Sequence, residues 1–372
     1  MLQTSRSTPP AHDTTVRSVT VRAVSVPLRR PVIADIGRFD EWPLVLVDVE
    51  TDDAVGNAYV APYRGRSVPA LVATIRDLGE DVTGAPLAPV DFAAGAAKAL
   101  NVAGTAGVTM DAIAAFEMAL WDARAKAAGV PLAVLLGGSV GPVRAYNSNG
   151  LWRHEAATLG AEARELLEEG GFDTLKLRLG NARLADDLAA IDAVRYAVGD
   201  IDLMVDFNQA LGLGDAIRRC HALDDLGLYW FEEPIAYDNL AGYALLAAKL
   251  RTPLQLGENF YGPRDLATVV AGGGIAYAMG DLMRIGGVTG WLRTAAVAGA
   301  AGVQFSNHLY PEIAAHLLRV TPSAHWLEWV DWALPILADP ALPADGHLTA
   351  PDRPGIGLVW DEAAITRFAV RV

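Results

Sequence analysis

Three acidic residues recur through the middle of this 372-residue chain at a constant pitch. Asp206, Glu232 and Glu258 follow one another at intervals of 26 positions, and Asp281 and His308 come after a further 23 and 27. Each ends or nearly ends a short apolar run. Hard oxygen donors delivered from neighbouring strands suit Mg²⁺, which takes carboxylates and keeps water or substrate in its remaining positions. No cysteine or histidine stands beside the three acids to favour zinc. Asp281 and His308 form a second pair: a carboxylate that reaches an imidazole nitrogen fixes its tautomer and raises its basicity, giving a general base near neutral pH. Lys176 and Arg178 are spaced i, i+2, so on a strand they share one face. Two cations turned into a barrel lumen need anionic partners, and a bound carboxylate substrate would supply one. Glu328 ends the last apolar run. Close to other acids and partly desolvated, it is expected to stay protonated and to donate to a developing oxyanion.

A pitch of 23 to 27 residues is the length of one strand, one helix and two loops. With the functional group always at the C-terminal end of the strand, this is how a (β/α)₈ barrel builds an active site. Strands are expected over 144–148, 174–179, 203–208, 229–232, 254–258, 276–283, 303–308 and 326–329. The N-terminal part reads differently. Strands over 19–26 and 43–50 flank a mixed segment, 31–42, expected to protrude as a long loop. Helices follow over 67–78, 90–101 and 111–128, the last stopped by Gly129 and Pro131. The spacing divides the chain into a disordered leader (1–15), an N-terminal unit (16–140), the barrel (141–334) and a tail (335–372) that crosses back to the N-terminal unit. The glycine runs 272–274 and 286–290 lack a P-loop lysine and read as loops.

Composition narrows the function. A net charge of −14 and a pI near 4.9 argue against a nucleic-acid partner, because phosphate binding needs a basic face. Apolar residues make up 52% of the chain and mean hydropathy is +0.24, yet no uninterrupted apolar span of membrane length occurs, so no membrane partner is expected. The single Cys220 leaves no intrachain disulfide, and residues 1–15 lack the apolar core of a signal peptide; a cytoplasmic location is the expectation.

Several segments carry a specific resemblance. Phe116-Glu-Met-Ala-Leu-Trp-Asp122, Met204-Val-Asp-Phe-Asn-Gln209, Glu232-Glu-Pro234, Gly257-Glu-Asn259, Ile285-Gly-Gly-Val-Thr-Gly-Trp291, Ser306-Asn-His308 and Ala324-His-Trp-Leu-Glu328 resemble the enolase superfamily, specifically its mandelate racemase subgroup. The resemblance implies an α/β fold: a modified (β/α)₇β barrel under an α+β capping domain completed by the C-terminal tail. It implies Mg²⁺ on Asp206, Glu232 and Glu258, and His308 as an acid/base catalyst oriented by Asp281. Lys176 would hold the substrate carboxylate, Glu328 would hydrogen-bond it as it becomes an ene-diolate, and Ser148 and Asn208 would line the pocket. A homo-oligomer is expected.

One position departs from the subgroup pattern. The racemase motif is Lys-x-Lys, and the second base position here is Arg178, a side chain that stays protonated at neutral pH. Racemisation or epimerisation of a 2-hydroxy carboxylate is the default reading. Dehydration of a sugar acid to a 2-keto-3-deoxy product follows close behind, since His308 alone can serve as base and then acid. A catalytically silent barrel kept as a binding or structural protein is the reading from another class. Asp35, Arg38 and Asp40, with Arg64 and Arg66, point to a polar substrate, while Phe39, Trp42, Tyr63 and Trp152 offer an apolar wall.

Overall fold

The structure, a computed structural model, describes residues 14–34 and 37–372. Most of the expected leader, residues 1–13, and Asp35 of the capping segment lie outside the described residues. The chain opens with an antiparallel meander, β1 (Val16–Ala34), β2 (Gly37–Thr51) and β3 (Val55–Val60). The expected loop over 31–42 is instead mostly paired strand: Val32 lies opposite Phe39 and Ala34 opposite Gly37, beyond a register shift between Pro27 and Val32. The hairpin is longer than its apolar pattern suggests because backbone pairing continues past the buried face, where alternation no longer marks it. Helices α1 (Val68–Val82), α2 (Pro89–Ala99), α3 (Val108–Ala127) and the short α4 (Leu132–Leu135) complete this layer. α3 is buried on most sides, from Ala112 through Ala125, because it lies between the meander and the barrel.

Seven strand–helix units and a last strand follow. They are β4 (Pro142–Asn147), α5 (Ala156–Glu168), β5 (Thr174–Arg178), α6 (Leu184–Val198), β6 (Asp202–Asp206), α7 (Leu213–Leu223), β7 (Phe231–Glu232), α8 (Leu240–Ala247), β8 (Leu254–Leu256), α9 (Pro263–Gly272), β9 (Tyr277–Asp281), α10 (Leu282–Ile285) with α11 (Gly287–Ala300), β10 (Gln304–His308), α12 (Pro311–Leu317) and β11 (Leu327–Trp329). The strands run parallel in the order β10-β9-β8-β7-β6-β5-β4-β11, the nearly closed sheet of a (β/α)₇β barrel. The gap between β10 and β11 is bridged largely by side chains. Asn307 accepts from the Glu328 N–H at 2.8 Å and donates to the Glu328 carbonyl at 3.3 Å, so its amide takes the place of a ladder peptide. Ser306 Oγ accepts from the Trp326 N–H at 3.2 Å. β12 (His347–Thr349) pairs with β4, and α13 (Glu362–Phe368) packs against β1, where Val370 donates to the Ala23 carbonyl. Among the described residues, no helix is long and apolar enough to cross a membrane.

The glycine run 286–290 corrects the sequence reading, because it begins a helix and is not a loop. Gly286 and Gly287 adopt φ of 90° and 69°, which turns the chain from α10 into α11. The first N–H groups of α11 have no partner within the helix. Glu117 of α3 supplies one: it accepts from Val288 and Thr289, each at 2.8 Å, and from Trp121 Nε1 at 2.7 Å. A capping-layer carboxylate thus caps a barrel helix inside the core. Glu117→Gln substitutes a donor for one of these acceptor oxygens and leaves a buried N–H unpaired. The expected cost is about 1–3 kcal/mol of stability, read from urea unfolding.

His316 of α12 ties three segments together. Its Nδ1 accepts from the Ala133 N–H at 3.3 Å, so Nε2 carries the proton and donates to the Ile356 carbonyl at 3.0 Å. Burial lowers its pKa to about 4. The unfolded chain therefore takes up a proton that the folded chain refuses, and stability falls as pH drops from about 6.5 to 4. Unfolding free energies measured across that window should show a shallower slope in His316→Gln.

Candidate active site

The strand sequence Thr174-Leu-Lys-Leu-Arg178 is wholly buried, and its alternation divides the work. Leu175 and Leu177 face the surrounding helices, while Lys176 and Arg178 enter the lumen, 1% and 4% exposed. Lys176 Nζ lies 2.7 Å from Glu232, 2.8 Å from Glu328 and 3.6 Å from Asp206. Although burial disfavours its charge, these carboxylates raise its pKa well above the ordinary lysine value. With three carboxylates within 3.6 Å it stays an ammonium.

Asp206, Glu232 and Glu258 come together as the spacing predicts, each offering an oxygen within 4.8 Å of the others. Oxygens on opposite sides of a Mg²⁺ are about 4 Å apart, so the set fits that ion with little movement. Other side chains fix its aim. Asn208 donates its backbone N–H and Nδ2 to the two Asp206 oxygens, at 2.8 and 2.9 Å, and Trp230 Nε1 donates to Glu232 at 3.0 Å. Burial, then the neighbouring acids, push Glu232 up to about 8 against the pull of Lys176. Crowded carboxylates short of positive charge are the condition that a divalent cation relieves. Glu232→Gln is expected to weaken Mg²⁺ binding more than tenfold by calorimetry; unchanged affinity would place the ion elsewhere.

His308 and Asp281 are joined as expected, Nδ1 to Oδ2 at 2.7 Å. The other Asp281 oxygen accepts from the N–H groups of Met283 and Arg284, so the first turn of α10 holds the carboxylate in place. Neutral His308 therefore carries its proton on Nδ1 and turns the Nε2 lone pair toward Glu258, 3.4 Å away. Burial opposes its protonation, but Glu258, Asp281 and Glu328 together raise its pKa to about 9. A cation on Glu258 would weaken that pull.

The expectation that Glu328 stays protonated does not hold. Its burial favours the neutral acid, but Lys176, His308 and a backbone donor outweigh it and hold the carboxyl well below the ordinary range. Oε1 also accepts from Ser148 Oγ at 2.7 Å, and Oε2 from the Leu309 N–H at 2.9 Å. Glu328 is thus an ionised acceptor that positions Lys176 and Ser148.

Arg178 is engaged through both terminal nitrogens, while Nε finds no hydrogen-bond partner among the described residues. Nη1 donates to the carbonyls of Ser148, Gly150 and Lys176 at 2.9, 3.0 and 3.3 Å, Nη2 donates to Ser148 Oγ at 2.7 Å, and the guanidinium lies 4.0 Å over the Trp152 ring. These oxygens can only accept at Nη1, so losing a proton there would orphan buried carbonyls. Arg178 is built to fix the β4–α5 loop.

A cavity of about 340 Å³ opens over this group at the C-terminal ends of the strands. Lys176, Arg178, Asp206, Asn208, Glu258, His308 and Glu328 line it; Ser148, Glu232 and Asp281 stand behind them. Its other wall is Val32, Trp42, Tyr63, Trp152, Val330 and Trp332. Of the charges expected near it, Arg38, Asp40, Arg64 and Arg66 do not line it: Arg38 pairs with Asp40 at 2.7 Å in solvent, and Arg64 and Arg66 are exposed. Backbone strain gathers at the same rim, where Leu151, Asn208, Gln209, Glu233, Leu309 and Tyr310 all have positive φ. Sequence reasoning passed over Gln209, Asn259, Arg284 and Trp332, which also line the cavity. Arg284 carried one signal, its place three residues after a strand-end acid and just before a glycine pair.

A nearly closed parallel barrel with an acidic triad, a buried lysine and an Asp–His pair at its mouth defines an enzyme of the enolase superfamily. The comparisons agree. Residues 16–137 match the N-terminal domain of the mandelate racemase/muconate lactonizing enzyme family, and residues 158–364 match the enolase C-terminal domain-like family. The chain belongs to the mandelate racemase/muconate lactonizing enzyme family. It is 48% identical to an enolase from alpha proteobacterium bal199 with bound magnesium, with a TM-score of 0.94 over 96% of this chain and 100% of the other. It is 40% identical to an enolase from Bradyrhizobium complexed with magnesium and mandelic acid, TM-score 0.92, over 96% and 99% of the two chains. Among curated relatives it is 31% identical to the L-talarate/galactarate dehydratase of Salmonella typhimurium, covering 87% of this chain and 82% of that one.

Proposed function

We propose that the protein abstracts the α-proton of a 2-hydroxy carboxylate and, on a substrate with a hydroxyl at the next carbon, eliminates water to give a 2-keto-3-deoxy acid. Asp206, Glu232 and Glu258 would hold Mg²⁺, which when bound supplies the concentrated positive charge that makes so weak a carbon acid ionisable. His308 Nε2 takes the α-proton, and the C–H electron pair moves into the carboxylate, giving an ene-diolate whose charge Lys176 faces. Asp281 steadies the imidazolium. The imidazolium then returns its proton to the departing β-hydroxyl, water leaves, and the resulting enol becomes the keto acid. One side chain thus serves as base and then as acid.

The observation that carries this reading is the bonding of Arg178. Racemisation needs a competent base on each face of the α-carbon, and the side chain at the second base position is committed to carbonyl oxygens as a donor. The dehydratase among the relatives supports the same direction. Racemisation stays the second reading because the Val32–Trp42–Trp152–Trp332 wall suits an aromatic substrate, and the Bradyrhizobium protein is complexed with mandelic acid.

A panel of 2-hydroxy acids incubated with enzyme and Mg²⁺ in D₂O separates them. Formation of a 2-keto acid, trapped with semicarbazide, is the expected result; α-deuterium with inverted configuration would establish racemisation instead. Neither product, together with no Mg²⁺ binding, would make the barrel a silent binding protein. His308→Asn should abolish exchange and elimination and leave Mg²⁺ affinity nearly intact. Unchanged turnover in that variant would remove His308 from the chemistry.

A further inference from the structure

Trp332 stands between two hollows. It lines the cavity at the barrel mouth, and it also lines a surface groove of about 480 Å³ whose other walls are Pro27, Leu28, Arg29, Asp331, Leu334 and Pro335. Among the described residues it is the one that both share. Two stretches of chain are divided in the same way. After β11, Val330 belongs to the cavity and Asp331 to the groove; in β1, Val32 belongs to the cavity and Pro27 to Arg29 to the groove, on either side of the register shift between Pro27 and Val32.

The ring is only partly buried and is held by Trp42, with centroids 4.4 Å apart and planes 42° apart. The backbone that carries it is fixed by other means. The Ser148 N–H donates to the Trp329 carbonyl at 3.0 Å, the Asp331 N–H to Asn149 Oδ1 at 2.9 Å, and the Leu334 N–H to the Asp331 carbonyl at 3.1 Å. None of these bonds uses the indole, so the chain keeps its course when the ring is cut back. The groove behind it is mostly hydrocarbon, from Pro27, Leu28, Leu334 and Pro335, with Arg29 and Asp331 beside them. Such a surface accepts an apolar tail.

We infer that the Trp332 ring is a partition that sets the longest substrate the cavity accepts, and that the groove behind it extends the cavity once the ring is removed. This rests on the reading of the cavity as a site for 2-hydroxy carboxylates and adds the residue that limits the chain away from the reacting carbon. A tail that reaches the ring must displace it from Trp42, and forcing extra methylenes into a packed wall is unfavourable. Shorter acids never meet it.

The test uses straight-chain 2-hydroxy acids from 2-hydroxybutanoate to 2-hydroxydecanoate as a ruler. Binding to the Mg²⁺-loaded protein is measured by calorimetry in a His308→Asn background, so that nothing turns over. In that background affinity is expected to rise about fourfold per methylene while the tail fills the cavity, then to level off or fall. Trp332→Ala should leave the short acids unchanged and carry the rise past that break, so that 2-hydroxydecanoate binds at least about tenfold more tightly. Trp332→Leu, which keeps an apolar group beside Trp42, should show the same extension in smaller measure and guards against a folding failure of the alanine variant. Adding Leu28→Asp to Trp332→Ala puts a charge in the groove and should cancel the gain for long acids alone. Four results would overturn the partition: no break in the parent background, a break at the same length in both Trp332 variants, a gain that survives Leu28→Asp, or no binding of the series by a protein that exchanges a polyhydroxy acid. If the unmodified protein exchanges the α-hydrogen of no 2-hydroxy acid in D₂O, and none binds, the functional reading itself fails.

Discussion

One buried ammonium governs the site. Lys176 lies within 3.6 Å of carboxylates from three different strands, and each of those acids would be untenable in the core without it. The strand register that places Lys176 opposite Met204, and Arg178 opposite Asp206, is therefore fixed by charge as well as by the apolar alternation of Leu175 and Leu177. A slip of one residue would turn both cations toward the helices and leave the acids unpaired. The donors around Asp206, Glu232 and Glu328 extend the constraint outward. They fix how the carboxylates point before anything is bound, which is what a site for a hard cation and an anionic substrate requires.

The barrel was legible because its period is regular: a strand-end acid every 26 residues survives even where the strand itself is short, as at Phe231–Glu232. The metal triad, the Asp281–His308 pair and the cationic face of β5 were readable for the same reason. What escaped the sequence depends on contacts between distant segments. The glycines at 286–290 read as a loop because the group that makes a helix start there, Glu117, is contributed by α3. The charge state of Glu328 was misjudged because counting nearby acids says nothing about a lysine ammonium at 2.8 Å. Arg284 could not be read as a cavity residue because it meets the Tyr63 ring only once the capping layer lies over the barrel.

The position of Arg178 illustrates how one substitution can change the repertoire of a shared scaffold. A lysine on a flexible stem can lose its proton when desolvated, whereas a guanidinium with its donors spread over three carbonyls is a fixed strut. The side chain that would reach one face of the substrate has become part of the wall that holds Ser148 and Gly150 in place. In the function proposed above, the chemistry would then fall to the imidazole of His308.

The seam between β10 and β11 has a consequence of its own. Every other stave of the barrel is knitted to its neighbours by main-chain ladders, while here the main chain makes a single bridge, Phe305 beside Ala324, and the amide of Asn307 and the hydroxyl of Ser306 carry the join onward to β11. Those two residues immediately precede His308, so the same tripeptide both closes the cylinder and aims its imidazole. The staves beside this joint are held by that one bridge and by side chains, not by a continuous ladder. The cylinder's least laddered line therefore runs beside the imidazole, and any loosening there would disturb the aim of His308 first.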